Sequence, residues 1–252
     1  MPKPSPQEIL AMIEKLEHFL DDSGYIASTS YQGSKVLLAL LSKILRVGRA
    51  VCILVDAGFG CEAFGLSRTM LEIFLTVRYI SNDKTEERAA EYADYVAKAT
   101  EHVLDVAAKH YPDKAFPKLG RKFTKMAKKY RSPHTWSSQG GHVKTMAMEP
   151  DAYEVDTSGN PIKQEFDYEH IYSQTSHYVH ATIISLMGHG VNAGERFRVR
   201  SNVVQDTDRG NEALFNTLAF ISKSFVCAFR GLHDEQPVDL LEETSVMMSS
   251  FR

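Results

Sequence analysis

The sequence contains few cysteines, and no two of them stand at a Cys-x-x-Cys spacing. Only three occur among the 252 residues, namely Cys52, Cys61 and Cys227. No signal-peptide pattern precedes them, so nothing in the sequence indicates a secreted, disulfide-bonded protein. We therefore expect reduced thiols in a cytoplasmic protein.

A strong net charge is also missing. The formal net charge of -3 gives no reason to expect general affinity for nucleic acids or membrane surfaces. The most apolar stretch, Val36 to Val55, is interrupted by Lys43, Arg46 and Arg49. A transmembrane helix needs roughly 20 mostly apolar residues, so we interpret this stretch as a core helix and expect no membrane partner.

Alternating strand patterns are nearly absent, and apolar residues recur instead at steps of three and four. This spacing predicts long helices over about 6–20, 33–55, 62–80, 85–110, 166–187 and 209–230, and shorter ones within 118–131, near 142–148 and after Pro237. The sequence therefore predicts one all-α domain over residues 1–252, a helical bundle of about five long helices with shorter ones at its ends.

Two polar segments interrupt the helical pattern for longer than is usual in a compact domain. Residues 149–164 contain two prolines and a Gly-Asn pair, which predicts a loop or a small hairpin. Residues 192–206 are polar and contain several arginines, which predicts a second long loop. Loops of this length are often functional, and these two flank a helix that contains two histidines.

Common metal-binding and hydrolase motifs are missing. The chain has no Glu-x-x-His and no His-Glu-x-x-His, and its one related motif is Asp167-x-x-His170. No strand-turn-helix elbow surrounds Ser176, as a serine hydrolase would require. We therefore expect neither a metal nor another cofactor. A transition metal shared by Glu72 and two histidines is the weaker alternative.

Arg68 and Glu72 stand four residues apart in a predicted helix that is otherwise strongly apolar. An intrahelical ion pair is the ordinary interpretation of this spacing. A guanidinium presents five N–H donors, however, and Glu72 alone cannot satisfy them. Because burial of an unsatisfied polar group costs several kcal/mol, we expect Arg68 to find further partners on another helix.

A second polar stripe follows about a hundred residues later. Tyr172, Ser176 and His180 recur at steps of four and share one helix face. A histidine can act as acid or base near neutral pH, since its ordinary pKa is about 6.5, but it can equally donate to Glu72 and fix the bundle. We expect the two stripes to meet in one polar pocket. Its candidate catalytic residues are Arg68, Glu72, Tyr172, Ser176 and His180, and His177 is a candidate ligand-binding residue.

A basic segment lies between Lys118 and Arg131, where seven Lys or Arg residues occur without an acid. Apolar residues at helical spacing make it amphipathic, and a solvated polar face is its ordinary interpretation. A phosphate-rich partner such as RNA or a nucleotide is the sharper interpretation, because nearby aromatic rings can stack on bases. The candidate ligand-binding residues here are Lys122, Lys125, Lys129 and Trp136.

The order of these motifs resembles a bacterial all-helical family catalogued as domain of unknown function 5677. The resemblance is carried by Leu66-Ser-Arg-Thr-Met-Leu-Glu72, by Val77-Arg-Tyr-Ile80, by a lone Trp136 before a short helix, and by Tyr172-x-x-x-Ser176-x-x-x-His180. It covers roughly Val36 to His189. It implies a helical fold and no assigned activity, and the positions it singles out are Arg68, Glu72, Trp136, Tyr172, Ser176 and His180.

The pattern is also loosely similar to the HEPN ribonucleases. These are helical bundles that dimerise and cut RNA with an arginine and a histidine on one helix, separated by four to six intervening residues. That motif is missing, because residues 173–175 before His180 are Ser, Gln and Thr, and no other histidine has an arginine at the required distance. Ribonuclease chemistry would therefore need Arg68 to supply the cation from another helix.

These patterns support two functional hypotheses. In the first, the polar site binds or acts on a phosphate-bearing ligand, with Arg68 holding the anion, His180 acting as acid or base and Glu72 orienting one of them. In the second, the chain is a non-catalytic interaction module of a phage-defence or toxin-antitoxin type, and the same residues are structural. Whether it is an enzyme stays open. Long apolar helices with few charges favour a homodimer.

Overall fold

Ten α-helices, one π-helical turn and one β-hairpin form the part of the chain that the computed structural model describes. That part comprises residues 2–22, 32–130, 142–180, 190–193, 196–199, 207–232 and 236–251. The first six helices are α1 (Pro6–Asp22), α2 (Gln32–Asp56), α3 (Gly60–Asn82), α4 (Thr85–His110), α5 (Arg121–Ala127) and α6 (Val143–Met148). They are followed by α7 (Glu165–Asp167), the π-turn (Tyr168–Tyr172), α8 (Ser173–Val179), α9 (Thr207–Leu232) and α10 (Val238–Ser249). The all-α fold class is confirmed.

The observed helix boundaries agree closely with the sequence pattern, with one shortening. Helix α5 covers only seven of the fourteen residues in the basic segment, because Gly120 is in an extended conformation and forms its N-cap. The helix predicted over 166–187 is confirmed as far as Val179, in the continuous stretch α7–π-turn–α8. Residues 181–189 lie outside the described residues.

Helix α3 is the centre of the bundle. It contacts α2, α4, α6, α8 and α9, and its most extensive contact is with α9. Phe74 of α3 stacks on Phe220 of α9, with ring centroids 5.8 Å apart. Seventeen of the 23 residues of α3 are buried, on all sides of the helix. A helix buried all round is a core helix, so any polar side chain on it needs partners from its neighbours.

Two glycines allow the long helices to approach one another closely. A Cβ atom on Gly231 of α9 would lie 2.8 Å from Cβ of Ser81, at the end of α3. A Cβ on Gly48 of α2 would lie 3.0 Å from side-chain atoms of Thr217 and Ile221 on α9. Because real Cβ contacts are longer than this, glycine sets the spacing of α9 against both neighbours.

Side-chain caps begin two of the helices. At α1, the Glu8 carboxylate accepts the backbone N–H of Ser5 at 2.7 Å, and the Glu8 N–H donates to Ser5 Oγ, which confirms a capping box. At α2, the cap comes from a distant part of the chain. Glu86 of α4 accepts the N–H groups of Gln32 and Gly33, so the first turn of α2 is tied to α4.

The two segments predicted as long loops differ in the structure. Residues 149–164 form a loop with a single antiparallel bridge between Val155 and Pro161, as expected for a loop with a small hairpin. The loop predicted over 192–206 is partly wrong. An antiparallel pair, β1 (Gly190–Ala193) and β2 (Arg196–Val199), covers much of its first half. Strands of four residues leave little periodic signal, and their pairing satisfies backbone groups independently of side-chain pattern.

Helix α9 is long and apolar enough, by length and composition alone, to cross a membrane, and it is the one such helix among the described residues. Within its most apolar window, however, 67% of the residues are buried inside the protein. The core helix of a globular protein passes the same test, so this feature is only weak support for a membrane span.

Candidate functional site

Arg68 of α3 is held by a ring of side chains that come mostly from another helix. Its Nε donates to Glu72 Oε1 at 3.1 Å, and Nη2 donates to the Tyr172 hydroxyl at 2.6 Å. Its Nη1 donates to Ser176 Oγ at 3.2 Å and lies 3.1 Å from Nε2 of His180. The five residues predicted from the two polar stripes therefore meet, and we call them the Arg68 cluster.

The π-turn supplies the aromatic side of this cluster. The guanidinium carbon of Arg68 lies 4.2 Å from the ring centroid of Tyr172, within the range of a cation–π interaction. The Tyr172 ring stacks in turn on Tyr168, with centroids 4.7 Å apart. π-Helical turns inside helices often occur at functional sites, and this one presents both tyrosines towards α3.

The contact between Arg68 and His180 constrains the histidine. A guanidinium can only donate, so a hydrogen bond here requires Nε2 of His180 to accept. The Ser176 hydroxyl also has a defined role, because it accepts from Arg68 and donates to the carbonyl of Tyr172 at 2.6 Å. The guanidinium thus lies against the Nε2 edge of the imidazole.

The Arg68 cluster lies at the surface of the bundle. The Arg68 side chain is 19% exposed and Glu72 is 38% exposed, while His180 is exposed. Tyr168 behind the cluster is half-buried, and partial burial raises the pKa of its phenol. A ligand can therefore reach the Glu72 and His180 side, whereas Tyr168 and Tyr172 form its back wall.

The other predicted ligand-binding residues do not join the Arg68 cluster. Lys122 and Lys125 are exposed on α5, which packs on α4, and exposed Lys129 lies two residues after its end. Lys129 forms an ion pair with Asp94 at 2.8 Å. Half-buried His177 lies on α8, one residue along from Ser176. Trp136 lies outside the described residues.

Sequence reasoning did not identify a second arginine of α3 as a site. Arg78 is only 2% exposed. Its Nε donates to Asp151 Oδ2 at 3.2 Å, and its Nη atoms donate to the carbonyls of Met146, Glu149 and Ile162 at 2.8 to 3.2 Å. We call this group the Arg78 cluster. It ties the loop 149–164 and α6 to the core, and its main acceptors are backbone atoms that leave no side-chain signal.

Metal binding gains no support from the described residues. Among them, no group of three or more His, Cys, Asp or Glu side chains is placed to hold a metal ion. Glu72, His177 and His180 are all described and do not form such a group. The Arg68 cluster combines a guanidinium with an imidazole, which are side chains of the kinds that bind anions and transfer protons in other proteins.

A comparison with known families identifies a match over most of the bundle. The model of a family of unknown function, DUF5677, matches residues 34–196, which include α2 to α8 and thus all five members of the Arg68 cluster. No curated protein and no solved structure matches the chain.

Proposed function

We propose that this chain, which belongs to the DUF5677 family of unknown function, binds a phosphate-bearing ligand at the Arg68 cluster, with RNA as the ligand class. One observation carries the proposal, namely the 3.1 Å contact between the Arg68 guanidinium and the exposed His180 ring. Arginine and histidine are also the residue types that HEPN ribonucleases use, although here they come from two helices.

A phosphate oxygen is a better partner for Arg68 than the groups it now contacts. A phosphate carries a negative charge and can accept two parallel N–H bonds from one guanidinium, which a hydroxyl or an imidazole cannot do. His180 and Ser176 are the acceptors of Nη1 that such a phosphate would replace. The Glu72 contact at Nε and the Tyr172 stack would meanwhile hold the guanidinium plane in place.

Displacement from Arg68 would free His180 next to the bound phosphate. Its unprotonated Nε2 could then take the proton of a ribose 2′-hydroxyl, whose oxygen attacks the adjacent phosphorus as the bond to the 5′-oxygen breaks. The leaving 5′-oxygen takes a proton from water, and a 2′,3′-cyclic phosphate forms. Arg68 would stabilise the negative charge that develops on the phosphoryl oxygens.

Binding and cleavage of a fluorescein-labelled RNA oligonucleotide test the proposal. We expect Arg68→Ala to weaken binding at least tenfold by fluorescence anisotropy, and Arg68→Lys to restore only part of it, because lysine keeps the charge but not the planar fork. His180→Ala should abolish cleavage and leave most of the binding. Arg49→Ala, which removes an exposed arginine paired with Glu14 and Glu17 on α1, is the matched charge control.

A second candidate follows from the number of contacts that Arg68 already makes. Four of its five N–H donors have partners within the described residues, as in a structural network. On this hypothesis the chain is a non-catalytic interaction module of a phage-defence or toxin-antitoxin type. Loss of folding in Arg68→Ala, without any RNA binding by the parent protein, would favour this candidate and reject the first.

Two further expectations belong to this proposal. We propose a cytoplasmic location, and the long apolar helices lead us to propose a homodimer. Light scattering at micromolar concentration should give about twice the mass of one chain, and a monomer would reject the dimer. Fractionation of cells should place the protein with the cytosol.

A further inference from the structure

A cavity of about 650 Å³ lies on the opposite side of the π-turn from the Arg68 cluster. Residues of α7, the π-turn and α8 form one wall, and the first half of α9 forms the other. His170 and Ile171 of the π-turn line it, whereas none of the five members of the Arg68 cluster does. Its volume is within the range of small-molecule sites, which is about 300 to 1,000 Å³.

Asn216 of α9 lines this cavity with a side-chain amide. The residue as a whole is only 7% exposed, and its carboxamide makes no hydrogen bond with any described residue. Its amide atoms are not among the buried unpaired side-chain atoms of the described residues, so the amide is open to the cavity. Asn211, half-buried on the same helix, also lines the cavity and has no hydrogen bond to a described residue. Both amides offer donors and an acceptor to a bound molecule.

Aromatic rings stand at the other wall. Phe166 is 73% exposed, which is unusual for a phenylalanine, and its ring lies parallel to that of His170 at 5.3 Å with an angle of 8°. Phe215 lies across the cavity on α9 and packs edge-on against Phe251. An exposed aromatic surface at the rim of a cavity is typical of a binding site for a flat molecule.

The charges around the cavity are nearly balanced. Asp167 pairs with Lys223 at 2.6 Å, and Glu212 pairs with Arg209. The remaining charged residues that line the cavity, Lys3 and Asp208, have opposite signs. A cavity with this balance does not select a polyanion, so its ligand is uncharged or weakly charged.

We propose that this cavity binds the base of a purine nucleoside. A carboxamide such as Asn216 can accept from the amino group of adenine and donate to the neighbouring ring nitrogen, which makes two hydrogen bonds in one plane. The purine ring would stack on the Phe166–His170 pair, as bases stack on aromatic side chains elsewhere. This site does not depend on the Arg68 cluster, because the two share no residue.

Titration of the full chain with adenosine, by calorimetry or ligand-observed NMR, tests the proposal. We expect saturable binding below about 1 mM and at least tenfold weaker binding of uridine. Asn216→Leu should reduce the affinity for adenosine at least tenfold. Replacement of Asn216 also disturbs packing, since the residue is only 7% exposed. Phe166→Ala therefore provides a second test at an exposed position, with Phe123→Ala, an exposed phenylalanine of α5, as its control.

Three results would overturn the proposal. Adenosine that does not saturate the wild-type protein by about 1 mM would reject the site. Equal binding of uridine and adenosine would reject the purine assignment. Unchanged adenosine binding in Phe166→Ala, measured beside Phe123→Ala, would show that the aromatic pair is not the stacking surface. None of these outcomes depends on whether the Arg68 cluster binds RNA.

Discussion

Arg68 and Arg78 lie ten residues apart on α3, and each guanidinium makes four hydrogen bonds within the protein. Their partners differ in kind. Arg78 is 2% exposed and bonds to one buried carboxylate and three backbone carbonyls. Arg68 has a side chain that is 19% exposed, and all its partners are side chains, one of them an exposed histidine.

This difference separates a structural arginine from a candidate functional one. Backbone carbonyls cannot move without unfolding the loop that carries them, so the bonds of Arg78 hold that loop in place. The side chains around Arg68 can rotate away and exchange for a ligand at little cost to the fold. A count of hydrogen bonds would treat the two arginines alike, whereas the identity and exposure of the partners distinguish them.

The largest expected loss of stability is that of the variant Arg78→Met. Arg78→Met would remove the guanidinium donor of three carbonyls and of Asp151 Oδ2, while Asp151 Oδ1 keeps the N–H groups of Tyr153 and Glu154. We expect the free energy of unfolding in urea to fall by about 3 to 5 kcal/mol, as for other broken buried pairs. Arg49→Met is the control, since its ion pairs are exposed and should contribute at most about 1 kcal/mol. If Arg78→Met and Arg49→Met lose the same free energy of unfolding, the structural role assigned to Arg78 is wrong.

A smaller effect is expected at the same end of α3 from Gly231→Ala. The added methyl group would meet Ser81 at 2.8 Å and push α9 away from α3. Overpacking of this kind typically costs about 1 to 3 kcal/mol of stability. Gly120→Ala is the matched control, because no atom lies within 4 Å of the new Cβ and the Gly120 φ of -62° suits alanine. Similar melting temperatures for both variants would show that α9 can move away from α3 without a loss of stability.

Arg68→Ala should have a still smaller effect on stability. Its ion pair with Glu72 is partly exposed, and the Tyr172 stack contributes about 0.5 to 1 kcal/mol, so we expect a total loss near 1 to 2 kcal/mol. Thermal unfolding followed by circular dichroism gives this value. A loss of unfolding free energy as large as that of Arg78→Met would mean that both arginines are structural.

A further effect concerns two thiols and appears only at high pH. Burial raises the pKa of Cys52 and Cys227 to about 12, above the value near 9 for an exposed thiol. The folded state therefore keeps protons that the unfolded state releases, and stability should fall as pH rises from about 9 to about 12. Urea unfolding of wild type and Cys227→Ala across this range measures the difference. If the free energies of unfolding of the two proteins fall in parallel as pH rises, Cys227 is not buried as the structure places it.

Cysteine labelling compares the two ends of α3 directly. Cys227 lies beside Arg78 and is buried, whereas Cys61 in the first turn of α3 is partly exposed. A thiol reagent at pH 8 should modify Cys61 first and leave Cys227 unmodified in the folded protein, because only the thiolate reacts. Rapid modification of Cys227 would indicate that the Arg78 end opens more easily than its bonds suggest.

The Arg68 cluster could be predicted from the sequence because every member is a side chain with a marked spacing. Arg68 and Glu72 interrupt an apolar helix, and Tyr172, Ser176 and His180 repeat at one face of another. The helices could be predicted for the same reason, since their buried faces follow the 3.6-residue period.

The Arg78 cluster and the cavity could not be predicted in this way. Three of the acceptors of Arg78 are carbonyls, which every residue carries, so no residue type marks their positions. Asn216 stands in an apolar helix like many satisfied core residues, and its missing partner becomes visible only when the neighbours are placed. The π-turn also has no sequence signature here. Its Tyr172 belongs to the Arg68 cluster, whereas its His170 and Ile171 line the cavity.

The state of the His180 ring tests the central claim most directly. We expect ¹⁵N NMR of the free protein at neutral pH to show an unprotonated Nε2, and we expect its signal to shift when the RNA oligonucleotide displaces the ring from Arg68. Arg68→Ala should remove the RNA-dependent shift. A protonated Nε2 in the free protein, or a signal that saturating RNA leaves unchanged, would contradict an exchangeable site at Arg68.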